Sequence, residues 1–171
     1  MEEQLINRLE TNITVFNSLL NNRDKNEYFF KPKPQEWSMI QVLSHLVDEE
    51  KFDFRTRVFS VLNNPEEQLP AFDPVMTLES KSFVEEDYNE LLDQLMDERI
   101  KTVAMLRALE KPNWQNAFQH PKEGPLTAGF FLTNWVAHDI IHIQQLNRLA
   151  YQYLKTYAKT ELGYAGNFRI G

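Results

Sequence analysis

The chain of 171 residues carries 18 Lys and Arg against 25 Asp and Glu, a formal net charge of −7, with 42% hydrophobic residues, 25% charged residues and no cysteine. These values describe one soluble-type domain large enough for a real core. They exclude a nucleic-acid backbone as partner, since no basic run is present, and they exclude disulfides, thiolate ligands and a cysteine nucleophile. No apolar run approaches the ~18 residues of a membrane span, and the acidic, amphipathic start MEEQLINRLE does not read as a signal peptide. A cytoplasmic protein is the expectation. Five glycines leave no room for a phosphate-cradling G-x-G-x-x-G or P-loop, and G-x-S-x-G does not occur.

In chain order, residues 2–22 place Leu5, Ile6, Leu9, Ile13, Phe16, Leu19 and Leu20 at helical spacing, which predicts a first bundle helix with one apolar stripe. Pro32 and Pro34 forbid its continuation. Trp37-Ser38-Met39-Ile40-Gln41-Val42 then opens a second helix, with Ser38 as N-cap, Gln41 as the returning member of a capping box and Trp37 opposite Val42 as a hydrophobic staple. It runs to about Asn63, and Val42, His45, Leu46, Glu49 and Phe52 share its inward face. Residues 64–84, with Pro65, Pro70 and Pro74, form a connection long enough to be functional, or to be a crossover that makes the next helix parallel to the last. The third helix, about Glu85 to Leu109, buries Tyr88, Leu91, Leu92, Leu95, Ile100, Val103 and Leu106, while Asp93, Asp97, Glu98 and Lys101 read as a solvated face. Pro112 ends it.

The fourth helix, Thr127 to Tyr157, is uninterrupted by proline and starts on Thr127 as N-cap. Phe130, Leu132, Val136, Ile140, Ile143, Leu146 and Leu149 give it oily positions, and His138 and His142 sit four residues apart on one face, flanked by Asn134 and Gln145. Four histidines fall into such a pair by accident in roughly 7 of 100 comparable chains, so the pair gains meaning only from a third donor. His45 on the second helix, placed opposite, completes three neutral imidazoles, the ligand number of a catalytic zinc-type site with positions open for water or substrate. Nickel, manganese or iron suits the same nitrogen set. Glu49 and Gln145, one turn along each ligand-bearing helix, are placed to act on the ligands and substrate. The domain so predicted is all-α, a four-helix bundle over residues 1–157, with 158–171 as a tail over its surface.

The segments Trp37 to Leu46, His120 to Thr127 and His138 to Leu149 together resemble the DinB-like metalloenzymes, to which bacillithiol S-transferases and the metal-binding domain of mycothiol-dependent maleylpyruvate isomerase are related. The resemblance implies an up-down-down-up bundle, in keeping with the long second-to-third connection, and a metal site at His45, His138 and His142. His120 matches a family position that is not a ligand, and either a backbone hydrogen bond or a place near substrate would account for it.

The function expected is a divalent-metal-dependent transferase or hydrolase acting on a small molecule, with a low-molecular-weight thiol of the bacillithiol type as the favoured cosubstrate. Trp135, Phe131 and the 64–84 segment would flank the substrate. A homodimer is the assembly to test. A bundle holding a structural metal or none, as a binding or scaffold protein, is the alternative from a different class. A metalloprotease is a third, because HDIIH approximates H-E-x-x-H and Glu161 follows His142 at a distance some zinc proteases use. It leaves His45 unused and offers Asp139 where the longer Glu is required.

Overall fold

The computed structural model describes residues 1–71, 73, 77–78, 81–83 and 86–166. Parts of the expected crossover (72, 74–76, 79–80 and 84), the expected third-helix start at 85 and the tail at 167–171 lie outside the described residues. The bundle is built from α1 (Glu2–Leu20), α3 (Met39–Asp48) continuing through a π-helical turn (Glu49–Phe54) into α4 (Arg55–Asn63), α5 (Tyr88–Arg107) and α6 (Ala128–Tyr157). A short α2 (Lys25–Phe29) and an antiparallel hairpin of β1 (Ala117–His120) and β2 (Gly124–Thr127) fill the connections. None of the helices is long and apolar enough to cross a membrane among the described residues.

Contacts between elements fix the direction of each helix. The Tyr88 hydroxyl, at the start of α5, donates to the Leu20 carbonyl at the end of α1 at 2.8 Å, while Arg107, at the end of α5, reaches Asn7 and Glu10 near the start of α1. Those two helices are therefore antiparallel. Lys51 bonds Gln94 and Arg55 bonds Glu98, so the second bundle helix and α5 advance together and are parallel. Ile6 and Leu9 pack with Phe131 and Leu132, and Phe16 and Leu20 with Leu146 and Leu149, so α1 and α6 are parallel. The order is up-down-down-up, as the resemblance implied.

The local chemistry that starts these helices follows the sequence. Gln41 Oε1 accepts the Ser38 backbone N–H at 3.0 Å in a capping box, and Trp37 packs against the cluster that holds Val42. Thr127 Oγ1 accepts the Phe130 N–H at 3.0 Å. The hairpin was not expected, because four residues per strand are too few to display an alternating pattern. Phe118 pairs with Leu126, both pack against the apolar cluster at that end, and Gly124 takes the positive φ of 77° at the end of the turn.

The core is divided. One apolar cluster, with Phe16, Leu20, Leu43, Leu92, Leu95 and Leu146, fills one end of the bundle, and another, with Leu9, Val58, Val61, Leu132 and Trp135, fills the other. Buried polar residues lie between the two: Asn12, His45, Glu49, Glu50, Arg99, Asp139 and His142. The π turn corrects the reading of the second helix as one continuous stripe. Its wider turn carries Phe52 out to solvent, 55% exposed, and brings consecutive Glu49 and Glu50 inside. Ile100, Phe130 and Ile140 are likewise exposed where the stripes placed them inward, and Arg99, Phe131 and Asp139 are buried beside them. In each case the buried position is the neighbour of the one placed inward, and for Arg99 and Asp139 it is the less hydrophobic of the two.

Candidate metal centre

His45 sits near the end of α3, just before the π turn, and His138 and His142 face it from the middle of α6. Nε2 of His45 and Nε2 of His142 each lie 3.1 Å from Nε2 of His138, and all three ligand nitrogens fall within 4.8 Å of one another. Three nitrogens bound to one ion at the usual zinc distance would stand about 3.3 Å apart in tetrahedral geometry; the two separations of 3.1 Å match this and the third lies within 4.8 Å, so the residues present fit a divalent ion. The chemistry of the donors points the same way. His142 Nδ1 is 2.8 Å from Gln145 Oε1, which can only accept, so Nδ1 carries the proton and Nε2 presents its lone pair. His45 Nδ1 is buried with no hydrogen-bond partner, and the Glu49 carboxylate stands 3.8 Å from it. A ligand imidazole passes its second N–H to such a carboxylate.

Burial, and then the neighbouring histidines and Lys81, hold His45 well down, to about 3. Burial, with His142 next, takes His138 to about 4, and burial also lowers His142, partly offset by Gln145. Three imidazoles kept neutral are three available lone pairs. Glu49 moves the other way, raised to about 8 by burial and by the nearby carboxylates of Asp53 and Asp48 against Arg57.

All five residues singled out from the sequence, His45, Glu49, His138, His142 and Gln145, are thus neighbours. Other expectations do not hold. Trp135 and Phe131 are buried in the apolar cluster, Trp135 stacked on Phe54 at 5.7 Å between ring centres, so neither flanks a substrate. The aromatic rings beside the histidines are Trp37, 5.0 Å from His45, and Phe54, 5.1 Å from His138. Asn134 is exposed and donates to the Phe130 carbonyl, away from the site. His120 takes the backbone-bonding option: its Nδ1 accepts N–H groups of Lys122 and Glu123 at 3.3 and 3.1 Å and braces the hairpin turn. Glu161 is exposed in the tail and outside the histidine group, and Asp139 is fully occupied by an arginine, which removes both extra parts of the metalloprotease reading.

That arginine is the feature sequence reasoning missed. Arg99 Nη1 and Nη2 donate to the two Asp139 oxygens at 2.7 and 2.9 Å, and its Nε donates to Glu50 Oε2 at 2.8 Å. Asn12 Nδ2 donates to Asp139 Oδ2 at 2.8 Å, so each of the four bundle helices contributes one member. Arg99, Glu50 and Asp139 are all buried. The signal was there: Arg99 interrupts the apolar series Leu92, Leu95, Val103, Leu106 at helical spacing, and a charge inside such a series needs a partner. Lys81, from the crossover, donates to Ser44 Oγ at 2.8 Å and Asp48 Oδ2 at 2.7 Å, which fastens that segment beside His45.

A family model described as the DinB superfamily matches residues 8–146. No curated protein matches the chain by sequence. Among solved structures the chain is similar to YfiT from Bacillus subtilis, described as a probable metal-dependent hydrolase with an unusual four-helix bundle topology. The two share 20% identity and a TM-score of 0.78 over 89% of this chain and 87% of that one.

Proposed function

The chain belongs to the DinB superfamily, and from that membership and the meeting of its three histidines we propose that it is a divalent-metal-dependent enzyme acting on a small molecule. The carrying observation is the convergence of three neutral imidazoles, with the Nε2 atoms of His45 and His142 each 3.1 Å from that of His138 and all three ligand nitrogens within 4.8 Å. Among the described residues no cysteine or carboxylate completes the group, and three protein ligands with open positions mark catalytic sites, whereas structural sites are closed by four. The description of YfiT as a metal-dependent hydrolase supports the same class of chemistry.

When bound, the ion supplies Lewis acidity that lowers the pKa of an attacking water or thiol toward neutrality. The protein's own groups do the rest. Gln145 fixes the tautomer of His142, and the Glu49 carboxyl, 3.8 Å from His45 Nδ1, is placed to accept that N–H in its ionised form and orient the ring. Three uncharged ligands leave the ion's charge uncompensated, which favours an anionic partner such as a thiolate. The chain has no cysteine, so an attacking thiol must come from a cosubstrate. Trp37 and Phe54 are the aromatic surfaces next to the histidines that could hold the apolar part of an electrophile.

Transfer of a low-molecular-weight thiol and hydrolysis are separated by one assay. Metal-loaded wild type and His138→Ala are compared on electrophilic and ester or amide test substrates, with bacillithiol and with water alone. Turnover only with thiol identifies a transferase, and turnover with water identifies a hydrolase. Equal rates for both proteins on every substrate would rule out a catalytic metal and favour the binding or scaffold role.

A further inference from the structure

We propose that Arg99 is the positioning residue of the histidine site: from α5, a helix that supplies no histidine, its guanidinium ties the π turn behind His45 to the stretch of α6 that carries His138 and His142. The inference rests on the metal-site reading above. Its geometry is specific. Glu50, bound by Nε, is the second residue of the π turn and neighbours Glu49, while Asp139, bound by both Nη atoms, is the residue next to His138. One planar group therefore bridges the two ligand-bearing helices at the residue next to His138. The same Nη1 approaches the Leu9 carbonyl at 3.4 Å, and Asn12 holds Asp139 from the other side, so α1 is included.

The direction of each bond limits what can replace it. A guanidinium presents donors in a fixed fork, so a bidentate bond to Asp139 and a third bond to Glu50 hold the two carboxylates at a set separation and angle. A lysine ammonium would keep the charge, but as a point donor on a flexible stem it imposes no such angle. The Glu49 side chain, on the turn that Glu50 anchors, is aimed by the same tie. Arg99 donates its hydrogen bonds to Glu50, Asp139 and Leu9 and not to the histidines. It acts through Glu50 and Asp139, and its effect should appear in how well the site binds a metal before any substrate is present.

The test uses full-length protein, zinc and cobalt(II), with affinity measured by chelator competition under conditions where each variant remains folded. Wild type and His142→Ala come first; a wild type that binds no stoichiometric metal would overturn both the metal-site reading and this one. Given that binding, Arg99→Lys should weaken zinc by 10–100-fold, the usual cost of losing a group that orients ligands, and should alter the visible bands of the cobalt protein. Glu50→Ala should do the same, and Glu50→Gln, which keeps the oxygen that Nε donates to, should recover most of the loss. Urea midpoints are recorded in parallel. Lower midpoints with wild-type affinity and cobalt spectrum in Arg99→Lys and Glu50→Ala would make the network purely structural and overturn the proposal while leaving the metal site standing. Should Arg99→Lys fail to fold, the pair Glu50→Ala and Glu50→Gln decides by the same criterion.

Discussion

Gln145 Oε1 lies 2.8 Å from His142 Nδ1, and this hydrogen bond decides which nitrogen of His142 faces His45 and His138. Gln145→Leu removes the acceptor and frees the ring to turn and to change tautomer. Metal affinity should fall by about 10–100-fold, and Gln145→Glu, which still accepts, should retain most of it. Chelator competition gives both numbers, and equal affinities for Leu and wild type would detach Gln145 from the site.

His142→Ala should abolish stoichiometric metal, as read by mass spectrometry of the purified protein. The fold should survive, because both apolar clusters are built without the histidines, unlike a zinc finger, which is unfolded without its ion. Unchanged metal content in this variant would mean the ion binds elsewhere.

The metal-free protein should be most stable near pH 6.5. His45 at about 3 and His138 at about 4 stay neutral in the folded state, while the unfolded chain protonates them near 6.5. The unfolded state therefore binds more protons, so this contribution is complete above pH 6.5 and is lost as pH falls through the folded values. Between pH 7 and 5 the loss is on the order of 1–2 kcal/mol per histidine. Glu49 acts in the opposite sense: raised from 4.5 to about 8, it favours the folded state at low pH and withdraws that support as pH rises to about 8. It offsets part of the histidine effect below pH 6.5 and leaves a decline above it. Urea midpoints of chelated protein from pH 4.5 to 8.5 would show the maximum, and His138→Gln should flatten its acid side.

Trp135→Ala should cost about 3–5 kcal/mol, the range for removing a buried aromatic ring, because Trp135 is 1% exposed and stacked on Phe54. Trp135→Phe should cost less. A denaturation midpoint unmoved by Trp135→Ala would contradict its place in the core and reopen a role at the substrate mouth.

Much of this molecule is legible in its residues. Proline positions, the Ser38–Gln41 capping box and the Thr127 cap mark helix boundaries through short-range chemistry, and His138–His142 is visible as a one-turn pair. His45 could be assigned to them only because two helices were expected to face each other. What was not legible depends on tertiary partners. That Arg99 is buried shows in its place in the apolar series, but that Glu50, Asp139 and Asn12 are its network does not, because each comes from a different helix. Phe52 read as buried because a regular helical period was applied across a turn that is not regular. Trp135 lies on the same helix as the ligands, and the periodicity gave its direction too coarsely to separate core from mouth.

The π turn also limits how the chain can change length. It gives the second bundle helix two phases: one sets His45 and Leu46 toward the interior, and the other sets Val58 and Val61 there. The turn takes up about one residue more than an α-helix of the same rotation, so removing a single residue between Glu49 and Phe54 would let an unbroken α-helix form with both halves close to their present settings. The same deletion in α3 or α4 would instead rotate one half by about 100°, and either the histidine or the two valines would leave the interior. A one-residue deletion inside the turn should therefore be better tolerated than one in the flanking helices, as denaturation midpoints of the two variants would show.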